Sequence, residues 1–512
     1  MIRKYGLKER YVYMRAIGLL LFGILFVCIL TIVLGCESTE QAKSRPATED
    51  AARQGRPAID LHPILEMQLK PPIGQLRAIP VHLGEGEPKA ILLIYSSDAE
   101  IDPYIGMFFF PESTLKLMLF DEKGKTLWRR DLGPGVVPGI WFCPVFSFDL
   151  DQDGADEIWL VNNNDPAHPL DYRQYCLERI NGATGESMGR WPWPRVKSGQ
   201  TMSHTHRNFI LGGYVRDKPV LVTAQGTYGP MQFQGWNSDM SRRWELQIGA
   251  DSPGARGSHV CPVVDINHDG ADEFMWGERC IEMDSGKELF CCDKETWNAH
   301  SDIVLPVLDY SQRRWYIHTC REQHTDVAPR IACFDDRGGK VWAALEQGHI
   351  DTGWAARIGE NGEPIVLGVR VGKKTRSAEG EFRMNVEEFT YRAFSGAEYP
   401  LSFSVYTSIP VDLNGDGIHE LVKGYFEGDG TVLDREGRVI GNVGGLCAMA
   451  SKFTSHPGEQ ILSFSRNGEV RIWADRNAKD SAAAMRRYRH RFYEVNHRLT
   501  ACGYNLFNLG GI

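Results

Sequence analysis

LFDEKGKTLWRRDLG, at residues 119–133, runs along an apolar strand, meets an acid, turns through a glycine and leaves on a second strand. The same grammar returns in IEMDSGKELF (281–290), CFDDRGGKVWAAL (333–345) and VLDREGRVIGNVG (432–444). Acid and glycine turns between apolar runs are hairpin signals. Around them, short apolar runs such as AILLIYS, EIWLVNN, KPVLVTAQ, EPIVLGVRV and EVRIWAD alternate with Gly-, Asp- and Pro-rich turns almost to the end. This pattern predicts an all-β sandwich, barrel or propeller. A hairpin used over and over selects the β-propeller, whose small antiparallel sheets need neighbours to cover their faces. Only 480–498 carries a helical pattern.

A second phrase is spelled three times: DLDQDGADE (149–157), DINHDGADE (265–273) and DLNGDGIHE (412–420). Aligned, the three words place oxygen ligands at positions 1, 3, 5 and 9. These are Asp149, Asp151, Asp153 and Glu157; Asp265, Asn267, Asp269 and Glu273; Asp412, Asn414, Asp416 and Glu420. Position 6 is always glycine. Alternating carboxylates that curl round one centre suit Ca²⁺, which takes six to eight oxygens. An EF-hand would put a bidentate Glu at position 12, where this chain has Leu160, Trp276 and Lys423. The strand–loop–strand setting resembles the FG-GAP/VCBS family of calcium-loop propeller repeats, which implies Ca²⁺ as a structural cofactor. The competing expectation is an Asp/Gly turn with no metal.

Taken in order, the phrases also resemble the body of the rhamnogalacturonan lyases, polysaccharide lyase family eleven. LKLMLFDEKGKTLWRRDLG with FSFDLDQDGADEIWLV resembles that family's hairpin and acid loop. The stretch 207–246, with Gly226, Tyr228 and Trp244, resembles its next blade. GSHVCPVVDINHDGADEFMWGE and WNAHSDIVLPVLD resemble its Gly-Ser-His acid loop and Gly-His-Gly-Asp segment, and HIDTGWAARIG, PGEQILSFSRNGEVRIWAD and YNLFN echo later parts. The likeness covers residues 115–510 and implies seven or eight blades, eight favoured, with calcium ions and a polysaccharide groove. Three segments depart from the family: YSSDAEIDPYIGMFFF stands where a Lys-, Trp-, Asp- and Asn-rich segment belongs, Gly139-Ile140-Trp141-Phe142 replaces Gly-Ala-His-Tyr, and Ser455-His456-Pro457-Gly458-Glu459-Gln460 replaces an acidic loop.

The resemblance implies β-elimination on a uronate chain. Such a site needs a cation or dipole on the developing charge and a base within reach. His259 and His300 match the family's central-channel histidines and, with Asp302, are the catalytic candidates. Tyr228, Arg207 and Trp297 are substrate-binding candidates, and His204, His206 and His324 form a second rank. Backbone-bonded blade histidines and core aromatics are the competing expectations, the latter also for Trp236, Trp244 and Trp354. For the basic run MRRYRHR (485–491) the expectation is a solvated face.

Residues 1–35 read as a targeting segment: basic Arg3, Lys4, Lys8, Arg10 and Arg15, an apolar run from Ala16 to Leu34, then Val33-Leu34-Gly35-Cys36. That ending resembles a bacterial lipobox, with Cys36 as the lipidated residue; an uncleaved anchor and ordinary secretion are the alternatives. Residues 36–60 form a polar tether and 61–512 the propeller domain. Without residues 1–35 the formal charge deepens from −9 to −13, which argues against a nucleic-acid partner. Ten cysteines outside the leader show no C-x-x-C pair, so zinc is not expected, and an oxidising compartment permits disulfides. The reading is a monomeric, lipid-anchored envelope protein, facing periplasm or cell surface, that acts on or binds acidic polysaccharide. A non-catalytic propeller for glycan or protein adhesion, and a purely structural surface protein, are its rivals.

Overall fold

The four hairpin phrases fold alike. Each supplies the last two strands of a four-stranded antiparallel sheet: Lys116–Phe120 with Thr126–Asp131, Arg279–Glu282 with Glu288–Cys291, Ile331–Asp335 with Lys340–Ala344, and Thr431–Leu433 with Val439–Asn442. All four shift register at the strand's exit, between Leu119/Phe120, Cys280/Ile281, Cys333/Phe334 and Val432/Leu433. A bulge there sharpens the local twist of the outermost pair.

The computed structural model describes residues 58–195, 201–322, 327–377 and 380–512. The targeting segment, Cys36, nearly all of the tether and His324 lie outside the described residues. Among the described residues the strands form eight separate sheets, seven of four strands and one of three. In chain order seven of them span 75–131, 145–192, 208–248, 263–291, 301–344, 350–392 and 408–442; the eighth joins 446–475 to Leu61–Gln68. That N-terminal strand pairs antiparallel with Glu469–Asp475, Leu61 opposite Asp475 and Gln68 opposite Glu469, so the first and last described strands share one sheet.

First strands neighbour one another in cyclic order. Gln75–Val81 touches both Val145–Phe148 and Leu446–Ser451, Asn208–Val215 touches Val145–Phe148 and Val263–Val264, and Ile350–Arg357 touches Ser301–Asp309 and Ser408–Val411. A parallel bridge between Ser258 and Ser301 joins the fourth sheet's approach to the fifth sheet. Inner strands are covered on both faces, so Gln75–Val81, Glu157–Asn163 and Ser301–Asp309 are buried throughout, while outer Arg242–Ile248 alternates.

Outer strands are latched by tryptophan. Trp128, Trp244 and Trp342 each donate from Nε1 to a carbonyl of the following sheet, Gly182, Met283 and Ala393, at 2.9, 2.8 and 2.8 Å. Gly286, at φ 70°, lies on the Trp244 ring, where an added Cβ would come within 2.6 Å. Trp244 is therefore packing, as are Trp236 and Trp354, whose indole nitrogens donate to Thr223 and Ser408.

The helical pattern at 480–498 resolves into two short helices, Ala482–Tyr488 and Arg491–Asn496. The break falls at His490, which takes an extended conformation and caps the second helix by accepting from the Phe492 amide at 3.2 Å. The basic run is a solvated face only in part: Arg486 and Arg489 are exposed, but Arg487 is buried on Glu459 at 3.1 Å and Arg491 reaches Asp272 at 3.2 Å. From there the chain crosses the sheets. Asn496 exchanges hydrogen bonds with Val263, Arg498 pairs with Asp156 at 2.6 Å, Thr500 donates to Ala78, and Asn505 accepts from Cys261. The ten described cysteines are free and nearly all buried.

Candidate functional site

In an antiparallel pair the start of the first strand and the end of the second lie together. Arg207 precedes Asn208–Val215 and Tyr228 follows Lys218–Gln225; His300 and Asp302 open Ser301–Asp309 and Glu322 follows Arg314–Arg321. His349 and Asp351 open Ile350–Arg357, and Lys374 lies on Pro364–Ser377. Arg207, Tyr228, His259, His300, Glu322, His349 and Lys374, with Asp102, His204, Arg256 and Tyr504, line one cavity of about 770 Å³.

Asp302 is its hub. His259 Nδ1 lies 3.1 Å and His300 Nε2 3.4 Å from Asp302 Oδ1, and His349 Nε2 lies 3.2 Å from Oδ2. The Tyr228 hydroxyl is 3.2 Å from His259 Nε2. Burial lowers the pKa of His259 and takes His300 down to about 4, so both are neutral near pH 7. Burial also opposes the charge on His349, but its hydrogen bonds to Asp302 and Asp351 outweigh it and raise the pKa to about 10. Asp302 is held ionised against its burial by the imidazoles of His259, His300 and His349 crowded around it.

The contacts are close but misaligned: both Asp302 oxygens and both His300 nitrogens are buried without a well-formed hydrogen bond. Ligand atoms of His259, His300 and Asp302 lie within 4.8 Å of one another, a donor set that fits a divalent cation. Asp351 differs, because Lys374 contacts Oδ1 and Arg383 Nε reaches Oδ2 at 2.6 Å.

Arg207 reaches the cavity from a fixed base. Its Nη2 lies 3.0 Å from Asp102 Oδ1, Trp141 Nε1 donates to Asp102 Oδ2 at 3.1 Å, and the guanidinium covers the Trp141 and Tyr228 rings at 4.7 and 5.4 Å. His204 lines the cavity. Trp297 does not: it is fully buried beneath the Arg321 guanidinium, 4.5 Å away, among Ala255 and Ala299. His206 is packed among the rings of Phe142, Tyr172 and Tyr175, and burial takes its pKa to about 4.

Sequence reasoning missed Asp102, Trp141, Glu322, His349, Asp351 and Lys374. For two of them a signal existed: His300-Ser301-Asp302 returns as His349-Ile350-Asp351 at the same place in the next sheet. Asp102 and Trp141 sit inside the segments that depart from the lyase pattern.

The acid loops connect first to second strands in the second, fourth and seventh sheets. All three share one hydrogen-bond plan. The position-1 aspartate accepts from the position-6 glycine at 3.0, 3.1 and 2.9 Å, and the position-9 glutamate accepts from the position-2 amide at 3.0, 2.9 and 3.0 Å. Burial raises Glu157 to about 7 and both Glu273 and Asp412 to about 8, and Asp412 Oδ1 is buried with no partner. In the first loop Arg179 Nη2 lies against both Asp151 and Glu157.

No protein-family model matches the chain. It is 24% identical over 471 residues to the rhamnogalacturonan exolyase YesX of Bacillus subtilis (strain 168), covering 83% of this chain and 71% of that one. With the rhamnogalacturonan endolyase YesW of the same organism it is 23% identical over 213 residues, 35% of this chain and 33% of that one. Among solved structures, the exotype rhamnogalacturonan lyase YesX aligns with a TM-score of 0.68 at 19% identity, covering 86% of this chain and 80% of that one. Bacillus licheniformis rhamnogalacturonan lyase PL11 aligns at 0.65 and 19%, with the same coverage. The chain shares the all-β fold of the rhamnogalacturonan lyases and is similar in sequence to YesX over most of its length.

Proposed function

We propose that the eight sheets are blades of a β-propeller and that the protein is a polysaccharide lyase, cleaving an acidic, rhamnogalacturonan-type chain by β-elimination. The observation that carries this reading is the cavity at the strand ends, where two neutral histidines share one ionised, unsatisfied aspartate. His259, His300 and Asp302 would hold a divalent cation, with Ca²⁺ the expected one. When bound, such an ion draws charge from a uronate carboxylate and acidifies the neighbouring C–H. Burial and Arg207 keep His204 neutral, and it stands beside Tyr228 with ring centroids 6.5 Å apart; we assign it the proton from C5. Tyr228, kept protonated by burial, supplies a proton to the departing O4. Lys374 and Arg207 give the wall positive charge for the polymer's carboxylates.

The acid loops at 265–273 and 412–420 are proposed as structural Ca²⁺ sockets, supported by their buried, high-pKa carboxylates and the unpartnered Asp412 oxygen. Lipidation at Cys36 and a place in the bacterial envelope are proposed from the lipobox-like sequence, and fatty-acid labelling lost in Cys36→Ser would support them. Incubation with rhamnogalacturonan and other uronate polymers, with and without chelator, tests the central claim. Ultraviolet-absorbing unsaturated ends are expected, and their absence on every uronate polymer refutes it. One observation favours a non-catalytic glycan binder instead: Tyr104, Ile105 and Met107, from a segment that departs from the lyase pattern, put an apolar lip on the cavity. Polymer binding without product would select that reading.

A further inference from the structure

We infer that the first acid loop, 149–157, carries its own cation in Arg179 and takes no metal ion, unlike its two sisters. The inference rests on the proposed calcium reading of loops 265–273 and 412–420.

Three observations support it. The ligand oxygens of Asp149, Asp151 and Glu157 lie within 4.8 Å of one another, and a single nitrogen, Arg179 Nη2, contacts both Asp151 Oδ2 and Glu157 Oε1, so the guanidinium already stands where an ion would draw the same oxygens. The guanidinium is mostly buried, with 12% of the side chain exposed, and its carbon lies 5.6 Å from the centre of the Trp159 ring, which fixes its approach. Register then separates this loop from the others. Arg179 is the cross-strand partner of Trp159, two residues beyond the loop's glutamate; the matching partners are Cys280, opposite Met275, and Val432, opposite Val422. Neither side chain carries charge.

The composition of the loops fits the same account. Position 3 is Asp151 here but Asn267 and Asn414 in the sister loops, so the first loop has one extra carboxylate and one extra guanidinium. A guanidinium is charged at every physiological pH and forms two-carboxylate bridges with fixed geometry. Held in place by its own strand, it cannot be removed by a chelator, so two of this socket's four carboxylates stay paired where Ca²⁺ is scarce.

The test is ion stoichiometry on the folded protein, by equilibrium dialysis against Ca²⁺ and elemental analysis. Asp269→Asn and Asp416→Asn should each lose one ion per chain, and Asp153→Asn should lose none. Arg179→Gln should gain one ion, and Arg179→Lys should keep the wild-type number. Loss of an ion in Asp153→Asn, or no gain in Arg179→Gln, overturns the inference. If Asp269→Asn and Asp416→Asn lose nothing, the calcium reading of the sister loops fails separately. A melting scan of each variant in Ca²⁺ confirms that the chains compared are folded.

Discussion

Two buried aspartates, one sheet apart, occupy the same place in their sheets and differ in their partners. Asp302 opens the first strand of the fifth sheet and faces two neutral histidines and one charged one, with neither oxygen in a well-formed hydrogen bond. Asp351 opens the first strand of the sixth sheet and is filled by Lys374 and Arg383 as well as His349. A buried carboxylate that is paired on both oxygens is a structural element; one left open is a ligand in waiting. Sequence spacing alone makes the two His-x-Asp phrases look equivalent, and only the second carries cations from a neighbouring hairpin.

The contrast can be broken by exchange. Asp302→Asn should reduce the proposed lyase turnover about a hundred- to a thousandfold, the scale set by removing one group that stabilises developing charge, with little change in melting temperature. Product absorbance against time, beside a thermal scan, measures both. Asp351→Asn should do the opposite, costing about 3–5 kcal/mol of stability because Lys374 and Arg383 lose the carboxylate that offsets their burial. Denaturant unfolding reads that loss; a stable Asp351→Asn protein with abolished turnover would erase the distinction.

Chelation should lower the melting temperature by about 2 °C, the size of a loss of roughly 2 kcal/mol in a chain this long, and added Ca²⁺ should restore it. A melting curve indifferent to chelator would leave the sockets as plain turns. Stability should also depend on pH. His300 has a folded pKa of about 4, below its ordinary 6.5, so its contribution to stability is present above 6.5 and lost as pH falls towards 4. His349, raised to about 10, contributes fully below 6.5 and loses that contribution as pH rises through 10. His300→Gln should flatten the acid limb of a stability–pH curve and His349→Gln the alkaline limb; unchanged limbs would mean the cluster is solvated.

Much of the scaffold was legible because it is local. Hairpins such as 119–133 and acid loops such as 265–273 close within a dozen residues, so their strands, turns and bulges follow from adjacent side chains. The core of the site was legible where it is phrase-like, in His259, His300 and Asp302. What escaped depends on how sheets are set against one another. Nothing near Asp102 in sequence announces Arg207, 105 residues away, and nothing near His349 announces Asp302. Trp297 shows the reverse failure: an aromatic beside a candidate histidine suggested substrate binding, yet Arg321, at the end of the strand Arg314–Arg321, claims its face. The split of 480–498 turned on a capping interaction of His490, invisible to periodicity.

The segment after Arg491 binds Val263, Asp156, Ala78 and Cys261, strands that emerge from the ribosome hundreds of residues earlier. Until that last stretch is made, the early sheets have no clasp across their shared face, and buried Asn496 and Arg498 have not yet arrived to satisfy it. A nascent chain stalled short of Asn496 is therefore expected to hold assembled sheets that remain open to proteases and chaperones.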